Sequence, residues 1–375
     1  MKNKKEMPAF GSSVGADERQ TIQKCTDHSI SDSDENIKSF EEMQRELLRQ
    51  LDPSYLKTVS MKTLYDTVFE VQPPLIDGLL QRGTYLFVGS PKVGKSFMMA
   101  QIAYHMSTGT SLWEYEMRKA TVLYFALEDD YPRLQKRLFQ MFGAEETGNL
   151  HFATECKTIG GGLEEQIRGF MGEHSDTGLI IIDTLKRVRE AGGADYSYAS
   201  DYDIVARLKA LANSYKVTML IVHHTRKQKA EDIFDMISGT NGLMGAADGA
   251  FVLSKENRTS NNATLDVAGR DQQDMKIHLV RDTERLVWNF EKSETELWKE
   301  PPEPLLEKIS DSNKWEGTAS ELCELLAVDI KPNVLSLRLS INASRLFRDY
   351  GIRYQNSRTH NGRKVLLWKE TDGAA

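Results

Sequence analysis

The chain has 375 residues, of which 40% are hydrophobic and 27% are charged, and its net charge is −7 at pH 7. These values are typical of a soluble globular protein of about two domains, and the acidic balance argues against wholesale nucleic-acid binding. No apolar stretch has the length of a membrane span, and no apolar segment follows the basic N-terminus, so neither a membrane protein nor a secretory signal is expected. Three widely spaced cysteines (Cys25, Cys156, Cys323) favour free thiols in a reducing, cytoplasmic setting.

The N-terminal part of the chain changes character near residue 37. Residues 1–36 are polar, show no period and include an acid-rich run at positions 29–35, so we predict a disordered tail. Residues 37–71 form a lead-in that begins with a predicted charged helix, whose thin apolar stripe contains Phe40, Met43 and Leu47. We expect this helix to pack on its own domain, with docking on a neighbouring subunit as the alternative.

A phosphate-binding pattern, the P-loop motif G-x-x-x-x-G-K-[ST], follows an apolar run at residues 85–88 and precedes a helix-like segment. The glycines allow the backbone N–H groups to surround an anion, and the helix start adds its positive end. The lysine of the pattern can reach the β- and γ-phosphates of ATP, and its serine can bind Mg²⁺. The pattern consists of Gly89, Ser90, Pro91, Lys92, Val93, Gly94, Lys95 and Ser96.

Two buried strands end in acidic residues further along the chain. Residues 120–126 are apolar and lead into Glu128, Asp129 and Asp130, and residues 178–182 lead into Asp183. Because ligands of open α/β sheets bind at the carboxyl ends of the strands, these acids are expected beside the P-loop. Asp183 fits the Walker B role of orienting Mg²⁺, with a helix N-cap as the alternative.

A third apolar strand, residues 217–222, ends in His223 and His224. Adjacent strand residues point to opposite faces and no third ligand is evident, so we expect a γ-phosphate sensor in preference to a zinc site. A polar loop follows up to Gly242, and short strands are then predicted at residues 250–253, 264–267 and 275–280. Buried strands alternating with helices predict an α/β fold with extra β-strands at one edge.

The order of these motifs resembles the RecA-like ATPases, and within them the hexameric replicative helicases of the RepA type from plasmids, mobile elements and phages. The resemblance covers about residues 72–290 and implies a mainly parallel sheet, and we take residues 72–292 as the ATPase domain. It implies that Glu128 is the general base and that His223 or His224 couples the γ-phosphate to a DNA-facing loop.

The resemblance also implies a ring in which an arginine reaches a neighbour's nucleotide. Arg270 is the best candidate for this finger, with Lys276 and Arg281 as rivals. The loop from residue 226 to residue 242 occupies the place where this family lines a central pore for single-stranded DNA. Arg226 and Lys227 are available there for phosphates, although acids in the loop weaken this interpretation.

The C-terminal segment is basic, with nine basic residues and one acidic residue between Lys331 and Lys369. After a linker at residues 293–316, residues 317–370 contain three predicted helices and a hairpin, a pattern that resembles a winged helix. Such a module places a helix in the major groove and its wing on the backbone, and the alternative is a protein–protein module with a solvated basic face. The predicted DNA-binding residues here are Arg345, Arg348, Arg363 and Lys364.

The sequence therefore predicts an ATP- and Mg²⁺-dependent, ring-forming motor that acts on DNA in the replication of a plasmid or mobile element. One alternative is a nucleotide-gated DNA-binding or loading factor that hydrolyses ATP slowly and does not unwind DNA. A weaker alternative is a small-molecule kinase, against which the lack of an evident lid argues.

Overall fold

The computed structural model describes residues 44–45, 48–49, 51–69, 72–189, 198–225, 232–237, 241–270, 272–294, 304–309, 314–359 and 362–369. The chain divides into two units, Met1–Leu64 and Tyr65–Ala375. In the first unit, the backbone N–H and the hydroxyl of Ser54 both donate to Oδ1 of Asp52, at 2.8 and 2.7 Å. The predicted tail and most of the predicted helix that follows it lie outside the described residues.

The second unit is built around one large sheet. Within the described residues, nine strands pair in the order β3-β2-β4-β5-β1-β6-β7-β8-β9. The strands are β1 (Thr84–Gly89), β2 (Thr121–Ala126), β3 (Leu150–Ala153), β4 (Thr177–Asp183), β5 (Thr218–His224), β6 (Gly249–Ser254), β7 (Asn262–Gly269), β8 (Gln272–Arg281) and β9 (Trp288–Ser293).

Helices connect these strands. A short helix, α1 (Met61–Asp66), contains the boundary between the two units. The others are α2 (Lys95–Thr108), α3 (Tyr131–Phe142), α4 (Leu163–Glu173), α5 (Leu185–Val188), α6 (Tyr198–Tyr215) and α7 (Asn241–Ala246). A 3₁₀ turn spans Phe234–Met236. None of the helices among the described residues combines the length and the apolarity that a membrane crossing needs.

The sheet is parallel from β3 to β6 and antiparallel from β6 to β9. Every residue of β1, β2 and β4 is buried, which explains why these strands read as continuous apolar runs. One apolar core contains Met98 and Met99 of α2, and a second contains Ile167 of α4 and Leu208 of α6. The predicted α/β class, with a mainly parallel sheet, is confirmed.

The strand order places the candidate residues side by side. Gly89 at the end of β1 is in register with His224 at the end of β5, and Ala126 at the end of β2 is in register with Asp183 at the end of β4. Because β5 lies between β1 and β4, the carboxyl ends of four neighbouring strands meet along one edge. Neighbouring strands are about 4.8 Å apart, so side chains from this edge reach one another.

The C-terminal part has a core of its own. Its elements are α8 (Pro304–Ile309), β10 (Lys314–Thr318), α9 (Ala319–Leu325), α10 (Pro332–Ile341), α11 (Ala343–Tyr350), β11 (Ile352–Thr359) and β12 (Gly362–Lys369). The three strands form an antiparallel sheet in the order β10-β12-β11.

Local signals in the sequence explain two ends of these helices. A capping box starts α9, since the side chains of Thr318 and Glu321 each accept the other's backbone N–H. Gly351 ends α11 with a φ of 67°, the left-handed conformation that glycine adopts without strain.

The C-terminal core begins earlier in the chain than residue 317. Leu305, Leu306 and Ile309 of α8 are buried in it, and Val68 from the segment before the ATPase core packs against it. The residues predicted as a linker, 293–316, thus contain the helix α8 and the first three residues of β10. The apolar side chains of α8 are too few to show a period, which is why the sequence did not reveal this helix.

Candidate active site

The P-loop joins the end of β1 to the start of α2. Lys92 has a φ of 65° and Gly94 a φ of 111°, so the loop turns through two left-handed residues before the helix begins. A Cβ on Gly89 would lie 2.5 Å from the carbonyl oxygen of Leu253, and a Cβ on Gly94 would lie 2.8 Å from Cζ2 of Trp288. Both glycines are therefore required by close packing, and the loop keeps its backbone amides available for an anion.

Lys95 is 7% exposed and lies beneath this loop. Its ammonium group donates to the carbonyl oxygens of Gly89 at 2.7 Å and of Ser90 at 3.1 Å, and it lies 3.2 Å from Nδ1 of His224. Burial lowers the pKa of Lys95 to about 8, against the opposing charges of Asp183 and Glu128. A buried cation of this kind is stabilised by an anion, and a phosphate is the anion that a P-loop binds.

Asp183 ends β4 and is 4% exposed. Burial raises the pKa of its carboxyl group, although hydrogen bonds from Ser96 and Tyr124 oppose this shift. The Tyr124 hydroxyl donates to Oδ2 of Asp183 at 3.0 Å. A serine hydroxyl and a carboxylate held together at the start of a P-loop helix are hard oxygen donors, so Ser96 and Asp183 fit the predicted Mg²⁺ site.

Three acidic residues follow β2, and each makes different contacts in the structure. Asp129 forms an ion pair with Arg137, and Asp130 caps α3 by accepting the N–H of Arg133 at 2.8 Å. Glu128 is exposed and accepts a hydrogen bond from the hydroxyl of Thr184 at 3.2 Å. Of the three, Glu128 is thus the carboxylate directed at the edge where the P-loop lies.

The two histidines at the end of β5 have different surroundings. His223 is 8% exposed, whereas His224 lies beside Lys95. Burial, and then the charge of Lys95, lower the pKa of His224. Because an ammonium group only donates, Nδ1 of His224 accepts and the neutral ring carries its proton on Nε2. The structure therefore distinguishes two residues that the sequence left equivalent.

A cluster of aromatic rings and cations lies beside Gly94 and was missed in the sequence. The Arg281 guanidinium lies 4.3 Å from the ring centroid of Phe97 and 5.6 Å from that of Trp288. Lys255 lies 5.2 Å from the Trp288 ring, and Arg137 lies 4.8 Å from the Phe97 ring. Burial, and then the charge of a neighbouring arginine, lower the pKa values of Arg281 and Lys255.

The cluster contains more positive charge than the neighbouring carboxylates neutralise. Asp129 pairs with Arg137, but Nε of Arg281 is buried and has no hydrogen-bond partner among the described residues. The sequence did not indicate this cluster, because β8 and β9 pack against α2 although they are far from it in the chain. The side-chain oxygen of Gln101, for example, accepts the N–H of Trp288, 187 positions away, at 2.8 Å. Arg281, a rival for the arginine finger, is therefore placed against its own P-loop.

Arg270 lies at the other end of the sheet. Its N–H donates to the carbonyl oxygen of Asp248 at 2.9 Å, and its guanidinium donates to that of Gly245 at 3.1 Å. Gly249 starts β6, whereas Leu253, four residues later, is in register with Gly89. Arg270 is thus more than about 13 Å from its own P-loop along the strand, so a finger role requires a neighbouring subunit. The other rival, Lys276, lies 3.7 Å from Asp266 of its own chain.

The predicted DNA-binding residues are only partly described. Arg345 and Arg348 both form ion pairs with Asp349, at 3.3 and 2.7 Å, and Lys364 pairs with Glu316. The basic face is therefore partly neutralised, which the sequence did not indicate because Glu316 lies outside the basic stretch. Arg226 and Lys227 lie outside the described residues, as does the side chain of Arg363.

Within the described part of the chain, no group of three or more His, Cys, Asp or Glu side chains is arranged to hold a metal ion. Mg²⁺ usually keeps several waters and binds through one or two carboxylates and substrate phosphates, so Ser96 and Asp183 stay the predicted ligands of this ion.

Comparisons with known proteins bear on the same region. Residues 50–230 match the family model of the AAA domain. No curated protein matches the sequence. Among solved structures, the chain is similar to one described as an ATPase domain, with 15% identity and a TM-score of 0.48, over 67% of this chain and 96% of that one.

The chain is also similar to a DnaB-like replicative helicase in a structure that reports its interactions with primase, with 15% identity and a TM-score of 0.49. That similarity covers 72% of this chain and 74% of the other. The AAA match includes the P-loop, Glu128 and Asp183, which the fold brings to one edge of the sheet. Together with this geometry, the AAA match indicates that the chain is an ATPase.

Proposed function

We propose that this ATPase is a ring-forming DNA motor, a helicase or translocase of the RepA type that serves the replication of a plasmid or mobile element in the cytoplasm. The contact between Lys95 and His224 carries the proposal, because it joins the phosphate-binding lysine to the last residue of β5. The predicted DNA-facing loop begins two residues later, at Arg226. A change at the γ-phosphate therefore has a short route to that loop.

The residues at the sheet edge have separate roles in hydrolysis. Glu128 is the general base that polarises the attacking water, and the hydroxyl of Thr184 orients its carboxylate. Lys95 stabilises the charge that develops on the transferred phosphoryl group. Ser96 and Asp183 hold Mg²⁺, which when bound neutralises phosphate charge.

Coupling follows from the hydrogen-bonding capacity of Lys95. An ammonium group has three donors, and three acceptors lie within reach: Gly89, Ser90 and His224. The phosphates of ATP compete for these donors, and the imidazole is the acceptor that belongs to another strand. Binding of ATP then loosens the contact with His224 and allows the residues after β5 to move.

The cluster beside Gly94 supports nucleotide binding in the same subunit. Arg281 and Lys255 place positive charge against Phe97, the residue after the P-loop serine, and against Trp288. We assign them to the phosphates and the sugar of ATP. The arginine finger is then left to Arg270 of a neighbouring subunit, which is accessible because its side chain is exposed. A hexameric ring is the assembly that the resemblance implies.

DNA contacts are assigned to two places. Arg226 and Lys227 bind single-stranded DNA in the pore of the ring. Arg345, Arg348, Arg363 and Lys364 belong to the C-terminal domain, whose three helices and antiparallel sheet are consistent with a winged helix.

The test is ATP hydrolysis with and without single-stranded DNA, with particle size recorded in the same buffer. Strong stimulation from a ring-sized particle is the expected result. Slow turnover that DNA does not change, from a monomer or dimer, would favour the nucleotide-gated loading factor instead.

A further inference from the structure

A large cleft lies between the ATPase core and the C-terminal core, away from the P-loop. Its volume is about 850 Å³. One wall comes from residues 68, 69, 72 and 73 with Arg118 and Lys216 of the ATPase core, and the other comes from α11, β11 and β12. We call this space the C-terminal cleft.

The cleft is strongly positive. Four cations line it, Arg118, Lys216, Arg348 and Arg353, and no acidic side chain lines it among the described residues. Asp77 and Asp349 do not line the cleft but pair with Arg118 and Arg348 from outside it, so these two of the four charges are partly neutralised. In a chain with a net charge of −7, this concentration of positive charge indicates an anionic ligand.

Aromatic rings lie between these cations. Phe347 and Trp368 are half-buried on the C-terminal wall, and the guanidinium of Arg353 lies 3.8 Å from the centroid of the Phe347 ring. Phe69 lines the other wall and is 53% exposed. Burial of a large apolar side chain is favourable in free energy, so this exposed ring would be stabilised by a ligand that covers it. Exposed rings interleaved with cations provide stacking surfaces for bases and positive charge for the phosphates between them.

The arrangement of the two walls favours single-stranded DNA over duplex DNA as the ligand of the cleft. Ala343, Ser344 and Phe347 of α11 line the cleft, and the Ser344 hydroxyl donates to the carbonyl oxygen of Phe69 at 3.5 Å. This face of α11 is therefore covered by the segment before the ATPase core and cannot enter a major groove. An unpaired strand is narrow enough to enter the cleft and exposes its bases for stacking.

We propose that the C-terminal cleft is a binding site for single-stranded DNA, in which bases stack on Phe69, Phe347 and Trp368 while Lys216, Arg118 and Arg353 contact phosphates. The choice of DNA rests on the function proposed above. None of the residues that line the cleft belongs to the predicted pore loop, residues 226–242.

The test measures anisotropy of a labelled oligothymidine in protein that carries Arg226→Ala and Lys227→Ala, which removes the predicted pore contacts. Lys216→Glu is expected to weaken binding about fivefold at 0.1 M salt, the effect of one lost phosphate contact on counterion release. Phe69→Ala is expected to weaken it about tenfold through lost stacking.

Matched controls separate these effects from general changes in charge or apolar surface. Lys136→Glu changes the net charge equally on exposed α3, and Phe139→Ala removes a ring there that is 68% exposed. Both controls are expected to bind the oligonucleotide like the parent protein. Thermal melting followed by circular dichroism verifies that each variant is folded.

Two outcomes would overturn the proposal: equal binding by the cleft variants and their controls, or an unlabelled duplex that competes as well as a single strand. The proposed motor is tested separately, because Lys95→Ala stops hydrolysis without touching the cleft. If single-stranded DNA fails to stimulate hydrolysis by the parent protein while binding in the cleft is intact, the result counts against the motor alone.

Discussion

Nζ of Lys95 lies 3.2 Å from Nδ1 of His224, so the lysine of the P-loop contacts the last residue of β5 directly. The neighbouring residue, His223, is buried and is placed differently. Because β1 and β5 are paired in register, with Gly89 opposite His224, the contact lies where the P-loop begins, and it makes His224 a specific candidate for the coupling residue.

We expect His224→Ala to uncouple ATP hydrolysis from DNA. The rate of hydrolysis with single-stranded DNA should fall to the rate without it, while ATP binding is retained because the P-loop is unchanged. His224→Asn offers an amide oxygen near the position of Nδ1 and should restore part of the stimulation. Steady-state hydrolysis with and without DNA measures both variants, and full stimulation of His224→Ala would assign the coupling to another residue.

Lys95→Ala should lower hydrolysis by a factor of about 10² to 10³ or more, because one preorganised positive group at the developing charge is lost. Lys136→Ala, on the exposed surface of α3, is the matched control and should hydrolyse ATP at the normal rate. The measurement is phosphate release under saturating ATP. Normal turnover in Lys95→Ala would disprove the assignment of the P-loop.

Glu128→Gln should bind ATP but not hydrolyse it, since an amide has the shape of the carboxylate and cannot accept the proton of the attacking water. The comparison is with Asp130→Asn, two residues away, because asparagine is as good a helix cap as aspartate. Binding of a fluorescent ATP analogue and single-turnover hydrolysis distinguish the two steps. Turnover at the wild-type rate in Glu128→Gln would remove this residue from the role of base.

Arg281→Ala should raise the KM for ATP about tenfold, because the cation that lies over Phe97 beside the P-loop is lost. Arg270→Ala should leave ATP binding by a single subunit unchanged and lower turnover only in the assembled ring, because its side chain lies at the far end of the sheet. Hydrolysis as a function of both ATP and protein concentration separates the two effects. A higher KM in Arg270→Ala and a normal KM in Arg281→Ala would reverse the assignment.

The sequence predicted those parts of the site that depend on local pattern. The P-loop, Glu128 and Asp183 each follow a continuous apolar strand, and the parallel sheet brings the ends of such strands together whatever the loops between them contain. The choice between His223 and His224 could not be predicted, because it depends on which face of β5 meets Lys95.

Contacts between distant parts of the chain were also beyond prediction. Arg281 and Trp288 reach the P-loop only because β8 and β9 extend the sheet and fold back on α2, and no pattern near either residue indicates this. In the same way, the ion pair between Lys364 and Glu316 depends on the pairing of β10 with β12, and β10 was itself missed.

The stability of the ATPase core should depend on Asp248, which precedes β6. Its Oδ2 accepts the N–H of the buried residue Thr84 at 2.9 Å, and its Oδ1 pairs with Lys209, whose side chain is 20% exposed. Asp248→Ala leaves a largely buried cation and the first amide of β1 without partners. We therefore expect the free energy of unfolding to fall by about 3 kcal/mol.

Chemical denaturation followed by circular dichroism measures this loss, with Asp274→Ala as the control. Asp274 is exposed on β8, so its replacement should change the free energy of unfolding by less than about 0.5 kcal/mol. Asp248→Asn should lie between the two, because the amide oxygen can still accept the N–H of Thr84 while the charge that balances Lys209 is lost. If Asp248→Ala is as stable as Asp274→Ala, solvent compensates Lys209 and the ion pair does not stabilise the core.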